Sequence, residues 1–522
     1  MNFRPDINGL RAIAVLGVVL FHFLGHALPG GFAGVDVFFV ISGFLMTSII
    51  FRGLETKNFS ILNFYRARAK RIVPALSILG LTLVVLGWFF LHPDDFRALA
   101  KHTFGSLTFS SNFLYLKESG YFDEASKEKW LLHTWSLSVE WQFYLLYPIL
   151  VVLLGKLFRL PVVRAILVVG TVLSFCLCVY ATSRWPSSAF YLLPTRAWEM
   201  LAGGLACLYP RALTMPTKRA AEACGLLLIL LSYLGFSEAN AWPGYLALVP
   251  VTGTLLVIAA HREKSWLTGN TLFQWIGASS YSIYLWHWPC VVWLNYVGRS
   301  ADPIYVGMGL LLSFGLGALS YYLVEKRMLF SLLSSLRAPL FTVAGFAAAY
   351  AIALTMSLMV FYNNGFDSRL NDAYRAMTQD HVMPRRENGY CFVDFNSDTK
   401  LKVSDSGTHC TLGDRTKPIR ALLFGDSFAG HYEPFWDVIG KANGLAINSV
   451  TTNWCIPVEG SFFDGPKTGA AFQQCQLNRE YLRRELGRYD VVIFGGQWSN
   501  SLNGGYLDQV LDTIKHTSKR WL

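Results

Sequence analysis

Apolar residues along this chain gather into long runs separated by short polar stretches, and runs of that length predict helices able to cross a bilayer. Eleven segments are expected: residues 10–28, 35–52, 74–92, 133–155, 162–182, 192–209, 220–237, 244–260, 272–298, 303–324 and 338–361. The pattern changes after Tyr362. Residues 363–418 are polar and read as a linker with some folded extension. From Ile419, short apolar strands (419–424, 445–450, 490–494) alternate with helical patterns (435–442, 478–486, 506–519), which predicts a parallel α/β sheet. The expected fold class is a polytopic α-helical membrane domain of about ten helices plus one linking span, then an extracytoplasmic three-layer α/β domain. The expected divisions are 1–335, 336–362, 363–418 and 419–522.

Composition agrees with the pattern. The chain is 53% hydrophobic and 15% charged, with a mean hydropathy of +0.36, too apolar for a soluble protein. Its net charge of +11 does not point to nucleic acid, because the basic residues cluster in loops between apolar runs. With the N-terminus in the cytoplasm, the inner loops hold Arg66, Arg68, Lys70 and Arg71, then Lys156, Arg159 and Arg164, then Lys218 and Arg219. The short outer loops hold only Arg184 and Arg299. An odd number of spans places the C-terminal region outside. The first run lacks a signal-peptide pattern, being long and holding Arg11. Cys391, Cys410, Cys455 and Cys475 lie in the polar region, an even set that fits two disulfides in an oxidising compartment. Sequence order suggests Cys391–Cys410 and Cys455–Cys475, and two other pairings stay open.

Ionisable groups in hydrocarbon are costly and are functional candidates by default. Arg11 and His22 stand eleven positions apart in the first run, roughly 16 Å along a helix. One helix would thus hold a cation near one membrane face and a general base deeper in. The turn Gly30-Gly31-Phe32-Ala33-Gly34 leads into a run opening on Asp36. Arg68 and Arg71 sit three apart, on one face of a helix. They suit either topology and lipid headgroups or a phosphate clamp for a cytoplasmic nucleotide-like donor. Glu140, in Trp135-Ser136-Leu137-Ser138-Val139-Glu140-Trp141, is a carboxylate in an apolar run, which favours a paired or proton-handling role. Arg196 and Glu199 are spaced to pair with each other, and His287 reads as a site residue or an interfacial aromatic-belt element.

Residues 5–325 resemble the membrane-bound acyltransferase-3 family. The motifs are Arg11-x10-His22, GGFAGVDVFFVISGFL (30–45), Arg68-x-x-Arg71 before Pro74, WSLSVEWQFYLLYP (135–148) and YSIYLWHWP (281–289). The family moves acyl groups, usually acetyl, from a cytoplasmic acyl-CoA to carbohydrate outside the cytoplasm. The resemblance implies a bacterial inner-membrane protein that takes acetyl-CoA as donor and a surface glycan as acceptor, with no metal. It makes His22 and Glu140 catalytic, and Arg11, Arg68 and Arg71 binding residues. Asp36, Arg196 and His287 are further substrate-binding candidates. Many members carry a second Glu where this chain has Trp141. The preferred acceptor is lipopolysaccharide O-antigen, with peptidoglycan or an exopolysaccharide close behind. A transporter or flippase is the rival class, and an outer-domain esterase another.

Gly425-Asp426-Ser427-x3-His431 follows an apolar strand and resembles the first block of SGNH hydrolase-like domains. The resemblance makes Ser427 the nucleophile, with its own N–H in the oxyanion hole. Asn500 and Gln497 are weak candidates for the third-block donor. No closing Asp-x-x-His is found; Asp512 and His516 have another spacing. The expectation is a C-terminally truncated chain lacking the acid–base pair of a triad, with Ser427 inactive as given.

Overall fold

The computed structural model describes residues 3–119, 126–210, 212–326, 338–372, 389–393, 410–456, 463, 470–496 and 520–521. The chain divides into two compact units, Met1–Arg369 and Leu370–Leu522.

Unit 1 is helical. Its first helix, α1 (Pro5–Phe23), starts on a proline whose missing N–H costs nothing in a first turn. Arg4 donates to Asp6 in that turn, at 2.8 Å through Nε. There follow α2 (Gly34–Glu55), α3 (Ile61–Phe90), α4 (Pro93–Leu107), α5 (Ser111–Lys117), α6 (Thr134–Leu157), α7 (Leu160–Arg184), α8 (Pro186–Tyr191) and α9 (Leu193–Leu208). The unit continues with α10 (Met215–Gly235), α11 (Leu248–Ala260), α12 (Thr271–Tyr296), α13 (Pro303–Ser320) with a π-helical turn through Glu325, and α14 (Ala338–Tyr362). A helix stands at each of the eleven expected positions. Among the described residues, seven of them (α1, α2, α3, α6, α7, α13 and α14) are long and apolar enough to cross a membrane. The others fall short for physical reasons. α11 has 13 residues, about 20 Å against a hydrocarbon core of about 30 Å. α10 opens on Lys218, Arg219 and Glu222, and α12 carries Gln274, three serines and His287.

Residues 93–132, which lie between the third and fourth expected segments, hold α4 and α5. The charges that make this stretch look like a loop satisfy one another: Glu118 accepts from Lys101 at 2.5 Å and from His102 at 2.9 Å.

α1 packs against α2 and α12, α12 against α13, and α2 against α9. The α2–α9 contact is backbone to backbone: a Cβ built on Gly43 would lie 1.7 Å from the Met200 carbonyl oxygen.

Unit 2 is an α/β domain around five strands: β1 (Thr411–Gly413), β2 (Ile419–Gly425), β3 (Ala446–Thr451), β4 (Val491–Gly495) and β5 (Arg520–Trp521). The order is β1-β3-β2-β4-β5, with β1 antiparallel and the rest parallel. Its helices are α15 (Ser427–His431), α16 (Glu433–Ala442) and α17 (Ala470–Glu485). Alternate residues of β2 serve different cores. Leu422 and Phe424 join Val450, Cys475 and Leu482, whereas Ala421 and Leu423 join Leu412, Ala429 and Ile447. Both faces are therefore covered, as parallel strands require.

Disulfides join Cys391 to Cys410 and Cys455 to Cys475. Val393 bridges to Thr452, so part of the stretch expected as linker is tied to the sheet. The expected helix at 506–519, with Gln497, Asn500, Asp512 and His516, lies outside the described residues.

Candidate functional site

A cavity of about 100 Å³ opens among α1, α2, α3, α6 and α12. Arg11 enters from α1 and donates through Nη2 to Ser280 Oγ on α12 at 2.8 Å. Arg68 and Arg71 come from α3, three residues apart on one face, as the sequence predicts. Arg71 is exposed and Arg68 half-buried, while Arg66 and Lys70 are exposed and do not line the cavity. Arg68 Nε has no hydrogen-bond partner among the described residues.

Opposite stands Glu140 on α6. Ser42 donates to its Oε1, and Tyr144, one turn on, donates to the same oxygen at 2.5 Å, its hydroxyl oxygen 3.1 Å from Ser42 Oγ. Three guanidinium groups thus face one carboxylate, and the surplus of positive charge suits a phosphorylated anion. Glu325, hydrogen-bonded by Ser282, lies within electrostatic range of Arg11 and Arg71. Sequence reasoning missed Ser42 and Glu325, whose partners Glu140 and Ser282 are remote in sequence, and Tyr144, one helical turn from Glu140.

His22 does not line this cavity. It is half-buried, with Nδ1 3.0 Å from His287 Nε2 and its ring at a steep angle to that of Trp288. Nδ1 of His287 lies 2.6 Å from the Tyr284 carbonyl oxygen. Tyr284 links the two places: its side chain lines the cavity, and its hydroxyl meets Ser136 at 2.7 Å and donates to the His133 carbonyl at 2.9 Å. His133, unnoticed in the sequence, is 4% exposed. Neither ring nitrogen has a hydrogen-bond partner among the described residues. Its ring centre stands 5.8 Å from that of His287.

Asp36 and Arg196, expected to bind substrate, are placed elsewhere. Arg196 donates to Asp36 at 3.1 Å and to Glu199 at 2.8 Å, all three at 1% exposure or less, in a closed cluster that does not line the cavity. Phe39, Trp135 and Phe190 pack their rings around the guanidinium. Trp141 stacks flat on Phe109 at 4.3 Å.

In unit 2, Ser427 begins α15 directly after β2 and is 3% exposed. Gly425 makes this turn fit, since a Cβ there would meet the Gly495 carbonyl oxygen at 1.8 Å. The Asp426 carboxylate caps α15 by accepting from Phe428 N–H at 2.8 Å. His431 Nδ1 lies 2.9 Å from the Ser427 backbone oxygen. Glu433, on α16, accepts from the Cys391 and Phe392 N–H groups and from the Ser449 and Thr451 hydroxyls. Burial pushes its carboxyl pKa up, against the pull of these four bonds. It therefore fastens the Cys391 segment to β3.

Comparison with known proteins places these features. Residues 4–322 match the model of an acyltransferase domain, and residues 391–520 match that of the SGNH domain fused to such domains. The chain is 30% identical over 321 residues to the peptidoglycan O-acetyltransferase OatA of Listeria monocytogenes, covering 58% of this chain and 51% of that protein. It is 30% identical over 350 residues to the putative peptidoglycan O-acetyltransferase YrhL of Bacillus subtilis (62% and 55%). Over 351 residues it is 29% identical to the O-acetyltransferase OatA of Staphylococcus aureus (62% and 57%). The chain thus spans about half the length of these relatives. No solved structure matches it. With its arginine-lined cavity inside the matched region and Ser427 inside the second, the chain belongs to the membrane acyltransferase family and carries the SGNH domain that is fused to it.

Proposed function

We propose that this protein is an integral membrane O-acetyltransferase that moves acetyl from cytoplasmic acetyl-CoA to a cell-envelope glycan outside the cytoplasm. The N-terminus lies inside and unit 2 outside. The observation that carries the reading is the cavity, in which Arg11, Arg68 and Arg71 offer charge for the phosphates of a CoA thioester beside the Glu140–Ser42–Tyr144 cluster and the His22–His287 pair. His22 acts as base toward the acetyl acceptor, and Glu140 orders the polar wall of the cavity. Ser427 takes the acetyl as an ester before it reaches the sugar, a step that needs an activating base which residues 419–522 do not show in the Asp-x-x-His form.

Peptidoglycan is the preferred acceptor. Two relatives bear that substrate in their names, which favours it over the lipopolysaccharide O-antigen that the family resemblance suggests.

The test is transfer of labelled acetyl from acetyl-CoA by the purified full chain in lipid. Arg68→Lys and Arg71→Lys should each raise KM for acetyl-CoA about tenfold or more, because an ammonium cannot make the paired hydrogen bonds of a guanidinium. Unaltered KM in both, or movement of an unmodified solute without acetyl transfer, overturns the reading.

A further inference from the structure

The hydrogen bonds around His287 fix where protons sit. A backbone carbonyl oxygen can only accept, so His287 Nδ1, 2.6 Å from the Tyr284 oxygen, carries hydrogen. A neutral His287 is then left with a lone pair on Nε2. That atom faces His22 Nδ1 at 3.0 Å, so His22 Nδ1 must donate. The lone pair of a neutral His22 is consequently on Nε2.

The two rings lie nearly parallel, 23° apart, and Trp288 presses edge-on against His22 at 4.7 Å, which holds the ring plane. His287 is fully buried and Tyr284, which anchors it, is a wall residue of the cavity. Among the described residues no carboxylate is hydrogen-bonded to either ring. A second imidazole occupies the place where a base is usually oriented by an acid, and it is itself oriented by a peptide carbonyl.

We propose that His287 is a positioning residue: it fixes His22 in the tautomer protonated on Nδ1 and so leaves Nε2 as the atom that takes the acceptor's proton. This rests on the acetyl-transfer reading above. As the acceptor oxygen bonds to the acetyl carbonyl carbon, its proton passes to His22 Nε2. The resulting imidazolium keeps its Nδ1–H bond to His287. When the carbon–sulfur bond breaks, the proton on Nε2 passes to the departing thiolate. One proton moves from hydroxyl to sulfur, the acetyl moves the other way, and nothing is left over.

The experiment uses the full chain in lipid nanodiscs, with acetyl-CoA kinetics and nitrogen-15 spectra of labelled histidine. Wild type should show His22 protonated on Nδ1 and bare on Nε2. His287→Phe keeps the ring volume but removes the acceptor. It should lower kcat by about 10²- to 10⁴-fold, the scale on which a mis-set tautomer acts, with KM for acetyl-CoA within about twofold. His287→Gln, whose amide oxygen can accept from His22 while its NH₂ donates to the Tyr284 carbonyl, should recover kcat to within about tenfold of wild type. It also guards against loss of folding in the Phe variant. Full kcat in His287→Phe, or a His22 signal protonated on Nε2 in wild type, overturns the inference while leaving the acetyl-transfer reading standing. Full transfer in His22→Ala overturns both.

Discussion

Arg196 shows how much one side chain can be asked to hold. Its guanidinium serves Asp36, 160 positions away, and Glu199, one helical turn on, in a site closed to water. Asp36 Oδ2, Glu199 Oε2 and Arg196 Nε find no hydrogen-bond partner among the described residues, so the charge pairing of the cluster rests on the two guanidinium–carboxylate contacts. Removing the cation leaves two buried carboxyl groups without compensation. Arg196→Met should therefore cost about 3–5 kcal/mol, read as a lowered Tm and a lower folded yield of purified protein. Arg196→Lys should recover little, since one ammonium cannot reach both carboxylates in fixed geometry. At this scale the sequence revealed the pair at spacing three but not the third member. The same limit hid His133. A histidine just before the Trp135 run is plain to see, but nothing in its spacing joins it to His22 and His287, which are themselves 265 positions apart.

Between elements, the decisive contacts are those where side chains are missing. α2 and α9 meet at Gly43 and Gly203, where a Cβ would press on the carbonyl oxygens of Met200 and Val40 at 1.7 Å and 2.0 Å. Because these are backbone atoms, neither neighbour can give way by a change of rotamer. Gly43→Ala should separate the two helices, disturb the Asp36–Arg196 contact between them, and cost about 1–3 kcal/mol or more of stability. Gly155→Ala on α6, with nothing within 4 Å of its built Cβ, is the control. It should be neutral, or stabilise by about 0.5–1 kcal/mol as helix propensity alone dictates. Thermal unfolding of the two variants separates packing from propensity, and equal Tm values would refute the close-contact account. Hydrophobic runs made the long helices legible, as alternation did the strands β2, β3 and β4. They failed for α4 and α5, where Lys101, His102 and Glu118 neutralise one another inside the fold and the sequence shows only their charges.

Across the whole molecule, the proposed chemistry is divided between two bodies: a helical unit with an arginine-rich cavity and a disulfide-braced α/β domain with a buried serine. If acetyl passes through them in series, the two half-reactions must respond differently to substitution. In the proposed reaction the thioester is broken with the help of His22 and the cavity, so His22→Ala should abolish both the release of free CoA and the acetylation of glycan. Ser427→Ala leaves the cavity intact. It should keep CoA release within a few-fold of wild type, with the acetyl lost to water or held back, while acetyl on the glycan disappears. Free thiol released from acetyl-CoA and ester-linked acetyl recovered from the glycan are measured on the same sample. The ratio of the two distinguishes the cases. If Ser427→Ala stops CoA release as completely as His22→Ala does, acetyl transfer is one concerted event that needs the serine from the start. The serine would then have to be counted part of the first half-reaction, and the two-step order would fail. If glycan acetylation survives Ser427→Ala, the acetyl goes directly from the His22 site to sugar, and the serine has another task.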